Sequence, residues 1–349
     1  MKADLKSILA ETDGRSRNSA FERGPPPLAL RQGTTAAALM AKSFDPVRYI
    51  VPGYLAEGCT LLAGAPKIGK SWLALNLAVA ISGGRPAFGS ITSEIGDVLY
   101  LALEDNERRL KKRLIQMGLR EAPDRLNLQT QWPTIGQGCL KEIDSWARAV
   151  PCPLLVIVDV LQRVKPEATN NQQQYEADYK AVTGLQNLAS KFGMAVLVLT
   201  HTRKMDAEDP FDSVSGTRGL TGAADTVLVL KRDNGTGVAG RATIYGRGRD
   251  IEEIETVVEF NRDNGTWRIV GMAHEIAKTN ERQAILDVLK SSSGPLNARE
   301  ISDRSGKKYE AVRKTLTRMA ANGEASKEGR GLFRCPIGPI EPSLSILTV

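Results

Sequence analysis

Eight consecutive residues, Gly64-Ala65-Pro66-Lys67-Ile68-Gly69-Lys70-Ser71, carry the spacing GxxxxGK[ST]. Glycines let a backbone wrap closely around phosphates, and the free N–H groups of such a loop, with a helix N-terminus behind it, stabilise the negative charge. The Lys70 ammonium would reach the β- and γ-phosphates, and the Ser71 hydroxyl would ligate Mg²⁺. Gly64 through Trp72, the last two at the start of the following helix, are therefore the expected binding positions for ATP. The loop needs a buried strand before it and a helix after it, and both flanks read that way: Thr60-Leu61-Leu62-Ala63 is apolar, and Ser71–Gly83 has a helical pattern.

A phosphate-bound Mg²⁺ also calls for a carboxylate at the end of a neighbouring buried strand. Asp159 closes the apolar run Leu154-Leu155-Val156-Ile157-Val158 and is the candidate; the plainer reading is a turn aspartate ending a strand. A water-activating base comes next. Val160 and Leu161 follow Asp159, so the base is sought on another strand tip. Glu104 ends Asp97–Leu103, with Asp105 beside it. Acids also favour the first turn of a helix, and Asn106–Met117 looks helical. Both roles can coexist, with Asp105 capping and Glu104 catalytic.

The elements that must hold these groups form an alternating pattern from Ile50 to about Val270. Strands are expected at Thr60–Gly64, Asp97–Leu103, Leu154–Asp159, Ala195–Thr200, Thr226–Lys231 and Arg241–Gly246, with helices between most of them, Tyr175–Phe192 among them. Continuously apolar strands are buried on both faces, which predicts an α/β fold with a mostly parallel sheet. Thr256–Val270 turns to strand–turn–strand, with Asn264-Gly265 as the hairpin signal. Residues 1–45, broken by Gly24-Pro25-Pro26-Pro27, read as a flexible arm with a short helix at Ala36–Lys42 behind a Thr35 cap. The partition expected is an arm over 1–45, an ATPase domain over 46–272, a small domain over 276–335 and a loose tail over 336–349.

Composition narrows the class. Of 349 residues, 42% are hydrophobic and 25% charged, as in globular chains, and wholesale disorder is excluded. Aromatics make up only 5%, so the core must rest on aliphatic side chains. No apolar run approaches the ~18 residues that cross a bilayer, and the amino end lacks the apolar stretch of a secretory signal. Cys59, Cys139, Cys152 and Cys335 are scattered without a CxxC pair, and His201 and His274 are the only histidines. A zinc finger, a His-rich metal site and a disulfide framework are not expected, and the chain reads as cytoplasmic, with no membrane partner.

Net charge is +7, and residues 276–334 hold thirteen Lys and Arg against seven Asp and Glu, so nearly all of the excess sits there. Ile285, Leu286 and Leu289 have helical spacing; Asn297-Ala298-Arg299-Glu300 resembles a capping box opening Ala298–Ser305; Lys308–Asn322 puts Val312, Leu316 and Met319 on one face. Its other face carries Lys308, Arg313, Lys314, Thr317 and Arg318, and the segment around Gly329-Arg330-Gly331 suggests a two-stranded wing. This pattern resembles a winged helix-turn-helix, whose third helix enters the major groove of duplex DNA. Winged helices of this kind also bind proteins, and that reading stands beside the first.

The order GAPKIGKSWLALNLA, YLALED, LLVIVDVLQ, VLVLTHTRK, SVSGTRGLTGAADTVLVL and YGRGRD, spanning about Asp45–Val270, resembles the RecA-like ATPases, specifically the RepA-type replicative helicases of plasmids and phages related to the DnaB class. The resemblance implies that Glu104 is the catalytic glutamate and Asp159 the Mg²⁺ aspartate. It places His201 where relatives carry a γ-phosphate sensor; a histidine merely hydrogen-bonded at a strand end is the alternative. Arg203 and Lys204 lead into Met205–Ser213, a candidate channel loop, and Ser213–Leu220, with Arg218, resembles the segment that touches single-stranded DNA. Gly246-Arg247-Gly248-Arg249-Asp250 resembles the place from which relatives supply an arginine finger to the next subunit, with Arg249 favoured over Arg247. A finger acting in trans implies a homo-oligomeric ring, a hexamer. The function implied is a ring-forming, ATP-dependent DNA helicase or translocase for replication of a phage or mobile element. The alternatives are a non-motor DNA-binding regulatory ATPase and a recombinase-like filament protein.

Overall fold

The computed structural model describes residues 33–165, 171–203, 207–215, 218–232 and 240–336. Most of the predicted amino-terminal arm, all but the first residue of the predicted tail, Lys204 and part of the predicted channel loop lie outside the described residues. The chain divides into two units, Met1–Pro46 and Val47–Val349. The first contains helix α1 (Ala36–Met40), whose N-cap Thr35 accepts a hydrogen bond from the Ala38 amide at 3.2 Å.

In the second unit, strands β1 (Tyr49–Val51) and β2 (Leu55–Ala56) form a small hairpin, followed by β3 (Gly58–Gly64) and helix α2 (Lys70–Gly83). Then come β4 (Asp97–Ala102), α3 (Glu107–Gln116), β5 (Leu126–Gln129), α4 (Cys139–Ala149), β6 (Pro153–Asp159), α5 (Asn171–Phe192), β7 (Ala195–His201), α6 (Arg218–Ala223), β8 (Thr226–Arg232), β9 (Arg241–Gly248), β10 (Ile254–Asn261) and β11 (Thr266–Met272). These strands from β3 onward make one nine-stranded sheet in the order β11-β10-β9-β8-β3-β7-β6-β4-β5. All pairings from β8 to β5 are parallel, and β9, β10 and β11 complete the sheet as an antiparallel meander. The α/β, mostly parallel expectation holds.

Helices cover both faces, which is why the central strands could be continuously apolar. In β3, Leu62 packs with α2 while Cys59, Leu61 and Ala63 face α5; in β6, Leu155 and Ile157 take the first side and Val156 and Val158 the second. Alternate residues enter opposite cores, so a polar side chain at any of these positions would be buried. Helix α2 is buried around most of its circumference, matching its run of Leu, Ala, Val and Ile.

Beyond the sheet, α7 (Ala273–Ser291) starts directly after β11, several residues earlier than Lys278, where the sequence pattern suggested a new unit. It is followed by β12 (Leu296–Asn297), α8 (Ala298–Ser305), α9 (Tyr309–Ala321), β13 (Ser326–Lys327) and β14 (Leu332–Arg334). Ile285, Leu289, Ile301, Val312, Leu316, Met319 and Phe333 bury one another in a separate small core. The Asn297 capping box is complete: its side chain accepts from the amides of Arg299 and Glu300, and Glu300 accepts from the Asn297 amide, each at 2.9 Å. Where a two-stranded wing was expected there is a three-stranded sheet, β12-β14-β13, because Leu296 and Asn297 pair with Phe333 and Leu332. A two-residue strand gives no periodicity, so it could not be read in advance.

Candidate nucleotide site

The parallel register brings the carboxyl ends of four strands to one edge. Gly64 of β3 is level with His201 of β7, and Ala102 of β4 with Asp159 of β6. Ligands of open α/β sheets bind at this edge. The loop between β3 and α2 curls there with Lys67 and Gly69 at positive φ, 62° and 108°. Gly64 has to be glycine on steric grounds, since a Cβ would lie 2.8 Å from the Leu230 carbonyl oxygen.

Lys70 is buried, and its Nζ donates to the carbonyl oxygens of Gly64 (2.7 Å) and Ala65 (3.1 Å). His201 Nδ1 lies 3.4 Å from the same nitrogen. Burial pushes the ammonium pKa down to about 8, against the opposing pull of Asp159 and Glu104. Burial also lowers the His201 pKa, and Lys70 lowers it further. A neutral imidazole beside an ammonium must accept at Nδ1, which leaves the proton on Nε2.

Asp159 is buried at the tip of β6, and Oδ2 accepts from the Tyr100 hydroxyl at 2.8 Å. Burial raises its pKa, while hydrogen bonding from Ser71 and Tyr100 opposes the rise. Oδ1 is buried with no hydrogen-bond partner among the described residues. A buried carboxylate with one oxygen unpaired is unfavourable unless something occupies that oxygen. Beside the Ser71 hydroxyl it is a hard oxygen donor of the kind Mg²⁺ takes, and Ser71 and Asp159 fit that ion.

Glu104 is exposed and lines the same cleft of about 420 Å³, together with Pro66, Lys67, Lys70, Ser71, Trp72, Arg113, Asp159 and His201. The expected capping role of Asp105 is not what the structure has. Asn106 is the cap, accepting from the Arg109 amide at 3.0 Å, and Asp105 pairs with Arg109 (2.6 Å) and Arg113 (2.5 Å). The cap lies one residue further on because β4 ends at Ala102 and α3 begins only at Glu107, which leaves Leu103, Glu104 and Asp105 ahead of the cap. Asp105 is thus occupied by two guanidiniums, whereas Glu104 faces the cleft.

Trp72 lines the cleft but also packs outward, with its ring 5.8 Å from Phe260 and under the Arg113 guanidinium at 5.1 Å. Three contributors went unread in the sequence. Tyr100 holds Asp159; its signal was one polar-tipped residue in an apolar strand. Asn76 donates to the Gly265 carbonyl (3.0 Å) and accepts from the Trp267 amide (2.7 Å); its signal was an amide inside a buried helix. Trp267 donates its indole N–H to the Gly69 carbonyl at 3.2 Å, and nothing local in the sequence foretold that.

The remaining candidates lie apart from the cleft or only border it. Arg203 is exposed just past β7, where its amide donates to the Ser213 carbonyl at 2.7 Å. Arg218 opens α6, and its side chain lies outside what is described. Arg247 pairs with Glu253 (2.7 Å) and Asp209 (3.1 Å) and covers the Phe211 ring; Arg249 pairs with Asp225 (3.2 Å). Gly248 is level with Thr226 and Thr226 with Thr60, near the start of β3. Both arginines therefore stand at the end of the sheet opposite the phosphate loop. Lys308, Arg313, Lys314 and Arg318 are exposed along α9, with Arg313 paired to Glu310 at 3.2 Å.

A family model described as AAA domain matches residues 24–207. No curated protein matches the chain in sequence. Among solved structures, a DnaB-like replicative helicase studied with its primase interactions is similar with a TM-score of 0.51 and 15% identity. That match covers 66% of this chain and 66% of the helicase, just under two thirds of its length. A KaiC-like protein from Pyrococcus horikoshii has a TM-score of 0.45 and 14% identity, over 64% of this chain and 99% of its own. What the helicase shares with this chain is the α/β fold.

Two outcomes follow from this geometry. If Lys70 is the phosphate ligand, binding draws on an ammonium whose pKa burial lowers to about 8 in the nucleotide-free protein. ATP affinity should therefore fall as pH rises through that value, by up to about tenfold per pH unit, with proton uptake on binding. Calorimetric titration in two buffers of different ionisation enthalpy checks both. Glu104→Gln should bind ATP normally and lose most hydrolysis, roughly 10²-fold or more, in a phosphate-release assay; near-normal turnover would move the base elsewhere.

Proposed function

Since the chain belongs to the AAA domain family, we propose that it is a ring-forming ATPase that couples Mg²⁺-ATP hydrolysis to movement on single-stranded DNA, as a replicative helicase or translocase of a phage or mobile element. The observation carrying this reading is the division of charged groups between the two ends of the sheet. Lys70, Ser71, Glu104, Asp159 and His201 meet at one end, and Arg247 and Arg249 stand at the other.

In this reading the loop amides, Lys70 and Ser71 hold the phosphates, and Glu104 takes a proton from the attacking water. His201, whose Nδ1 faces Lys70, can donate from Nε2 toward the terminal phosphate. Ser71 and Asp159 would hold Mg²⁺, which supplies charge neutralisation at the β- and γ-phosphates. Arg249, or Arg247 beside it, reaches the loop of the next copy, which is why a closed homo-oligomer, a hexamer, is part of the proposal. Arg203, Lys204 and Arg218 are assigned to the strand in the channel. Residues 276–335 are assigned as a winged helix, with Lys308, Arg313, Lys314 and Arg318 on duplex phosphates; the exposed basic face of α9 over a buried apolar one supports this.

The test is ATPase rate with and without single-stranded DNA, with oligomer mass measured alongside. Stimulation by the strand in a closed ring, and separation of a forked duplex, are expected; a filament or strand-indifferent hydrolysis would overturn the proposal. Mixing provides a sharper check. Lys70→Ala and Arg249→Ala subunits, each inactive alone, should recover partial turnover in mixed rings, because some interfaces join an intact loop to an intact arginine. Verified mixed rings without recovery would rule out Arg249 in trans.

A further inference from the structure

Two of the seven tyrosines lie four residues apart on the first turns of α5, and neither belongs to a core. Tyr175 is 46% exposed and Tyr179 47%, although their helix neighbours Ala177 and Asp178 are buried. Their rings are parallel within 7°, with centroids 6.4 Å apart. Among the described residues this is the one aromatic pair with both members exposed; the other pairs, Tyr54 with Phe88 and Phe260 with Trp72 and Trp267, are packed into the fold. Further along the same helix, Ala181, Val182, Leu185 and Ala189 enter the sheet core, so burial fixes α5 and leaves the two tyrosine rings half exposed, with Tyr175 touching α6.

The position of the pair limits what it could meet. The Tyr175 ring touches α6, lying 2.9 Å from where a Cβ on Gly219 would be, so glycine at that position gives the ring its seat. Gly219 follows Arg218, the start of the helix assigned above to the DNA strand. Arg203 belongs to the segment that pairs with Ser213–Ser215 just before it. Lys180 adjoins Tyr179 and pairs only loosely with Glu176, at 3.7 Å. Exposed flat rings, on a helix that also carries the exposed Lys180 and that touches α6 one residue past Arg218, suit a partner with planar rings on an anionic backbone. Apolar side chains alone would suit a protein; exposed parallel rings with basic residues nearby in the chain suit unpaired nucleobases, whose π-faces stack without regard to sequence.

We infer that Tyr175 and Tyr179 form a stacking platform for unpaired bases of single-stranded DNA, so that the ring grips bases as well as phosphates. This inference rests on the DNA-translocase reading and adds to it a site for the base. It predicts that the chain distinguishes a strand with bases from one without.

The experiment measures binding of the full-length chain to a fluorescent oligothymidylate and to a length-matched abasic phosphodiester strand, by anisotropy. Wild type should prefer the base-bearing strand by roughly tenfold or more. Tyr175→Ala/Tyr179→Ala should bring the two affinities close together by weakening the base-bearing strand only, and Tyr175→Phe/Tyr179→Phe should keep the preference, since the ring and not the hydroxyl stacks. Oligomer mass and melting temperature of each variant are followed in parallel. An alanine variant that keeps the full preference overturns the platform. So does one that loses its oligomeric state, which would make the pair a contact between copies. Wild type that binds neither strand overturns the DNA reading itself, an outcome distinct from loss of the base preference alone.

Discussion

One lysine held out of water sets the terms for the rest of this structure. Burying an ammonium costs free energy unless its hydrogen bonds are met. Lys70 meets them with the Gly64 and Ala65 carbonyls and not with a carboxylate. Asp159 and Glu104 are near enough to favour the charge but do not bond to it. A direct ion pair with Asp159 would have to be broken before a phosphate could enter. Neutral carbonyls hold the ammonium in place more weakly than a doubly charged oxygen cluster would, so exchange toward phosphate is downhill. The same separation leaves Asp159 Oδ1 unpaired and Ser71 beside it, an arrangement that supports the proposed cation and phosphate sites lying side by side.

Holding that arrangement depends on a part of the chain far away in sequence. Trp267 donates to the Gly69 carbonyl across 198 residues, and Asn76 ties the β10–β11 turn to α2 through two further bonds. Trp72, Phe260 and Trp267 form an aromatic seam between the loop helix and the hairpin. In a chain with so few aromatics, spending three of them here makes the loop's shape conditional on the antiparallel end of the sheet being folded. Gly265 is part of the fit: at φ 64° it lies against Trp72, and a Cβ there would be 2.3 Å from the indole. The Asn-Gly dipeptide thus serves as hairpin turn and as clearance for the helix below.

How much of this was legible depended on whether the signal was local. The strands β3, β4, β6, β7 and β8 were readable because burial on both faces forces an apolar run, β9 from its shorter Ala-Thr-Ile-Tyr stretch, and the phosphate loop because its glycines serve a backbone shape. Edge strand β5, Leu-Asn-Leu-Gln, is half exposed and has no such run, whereas α4 carries a helical apolar spacing, Cys139, Leu140, Ile143, Trp146 and Ala147, that was legible and was missed. The cap of α3 was misplaced by one residue because Asp105 and Asn106 both suit the role, and only the pairing of Asp105 with Arg109 and Arg113 separates them. Tyr100, Asn76 and Trp267 act through contacts between residues distant in sequence, which no spacing rule can register. The base-stacking pair was hidden for the opposite reason: tyrosines four apart on a helix usually mean core, and only their exposure says otherwise.

The strength of the pairings at the far end of the sheet bears on the proposed ring. Arg249 holds Asp225 through a guanidinium that is 61% exposed, and Asp225 is itself fixed by bonds from Gln186 and the Cys59 amide. An exposed ion pair of this kind is worth only about 0–1 kcal/mol. It can orient an arginine without locking it, because the carboxylate is rigidly placed while the guanidinium remains in solvent. A buried pair would have cost several kcal/mol to break on assembly. A desolvated phosphate cluster offers the guanidinium much more than Asp225 does. Transfer from one to the other needs no rearrangement of the sheet, only a neighbouring copy that brings its phosphate loop within reach of the opposite edge.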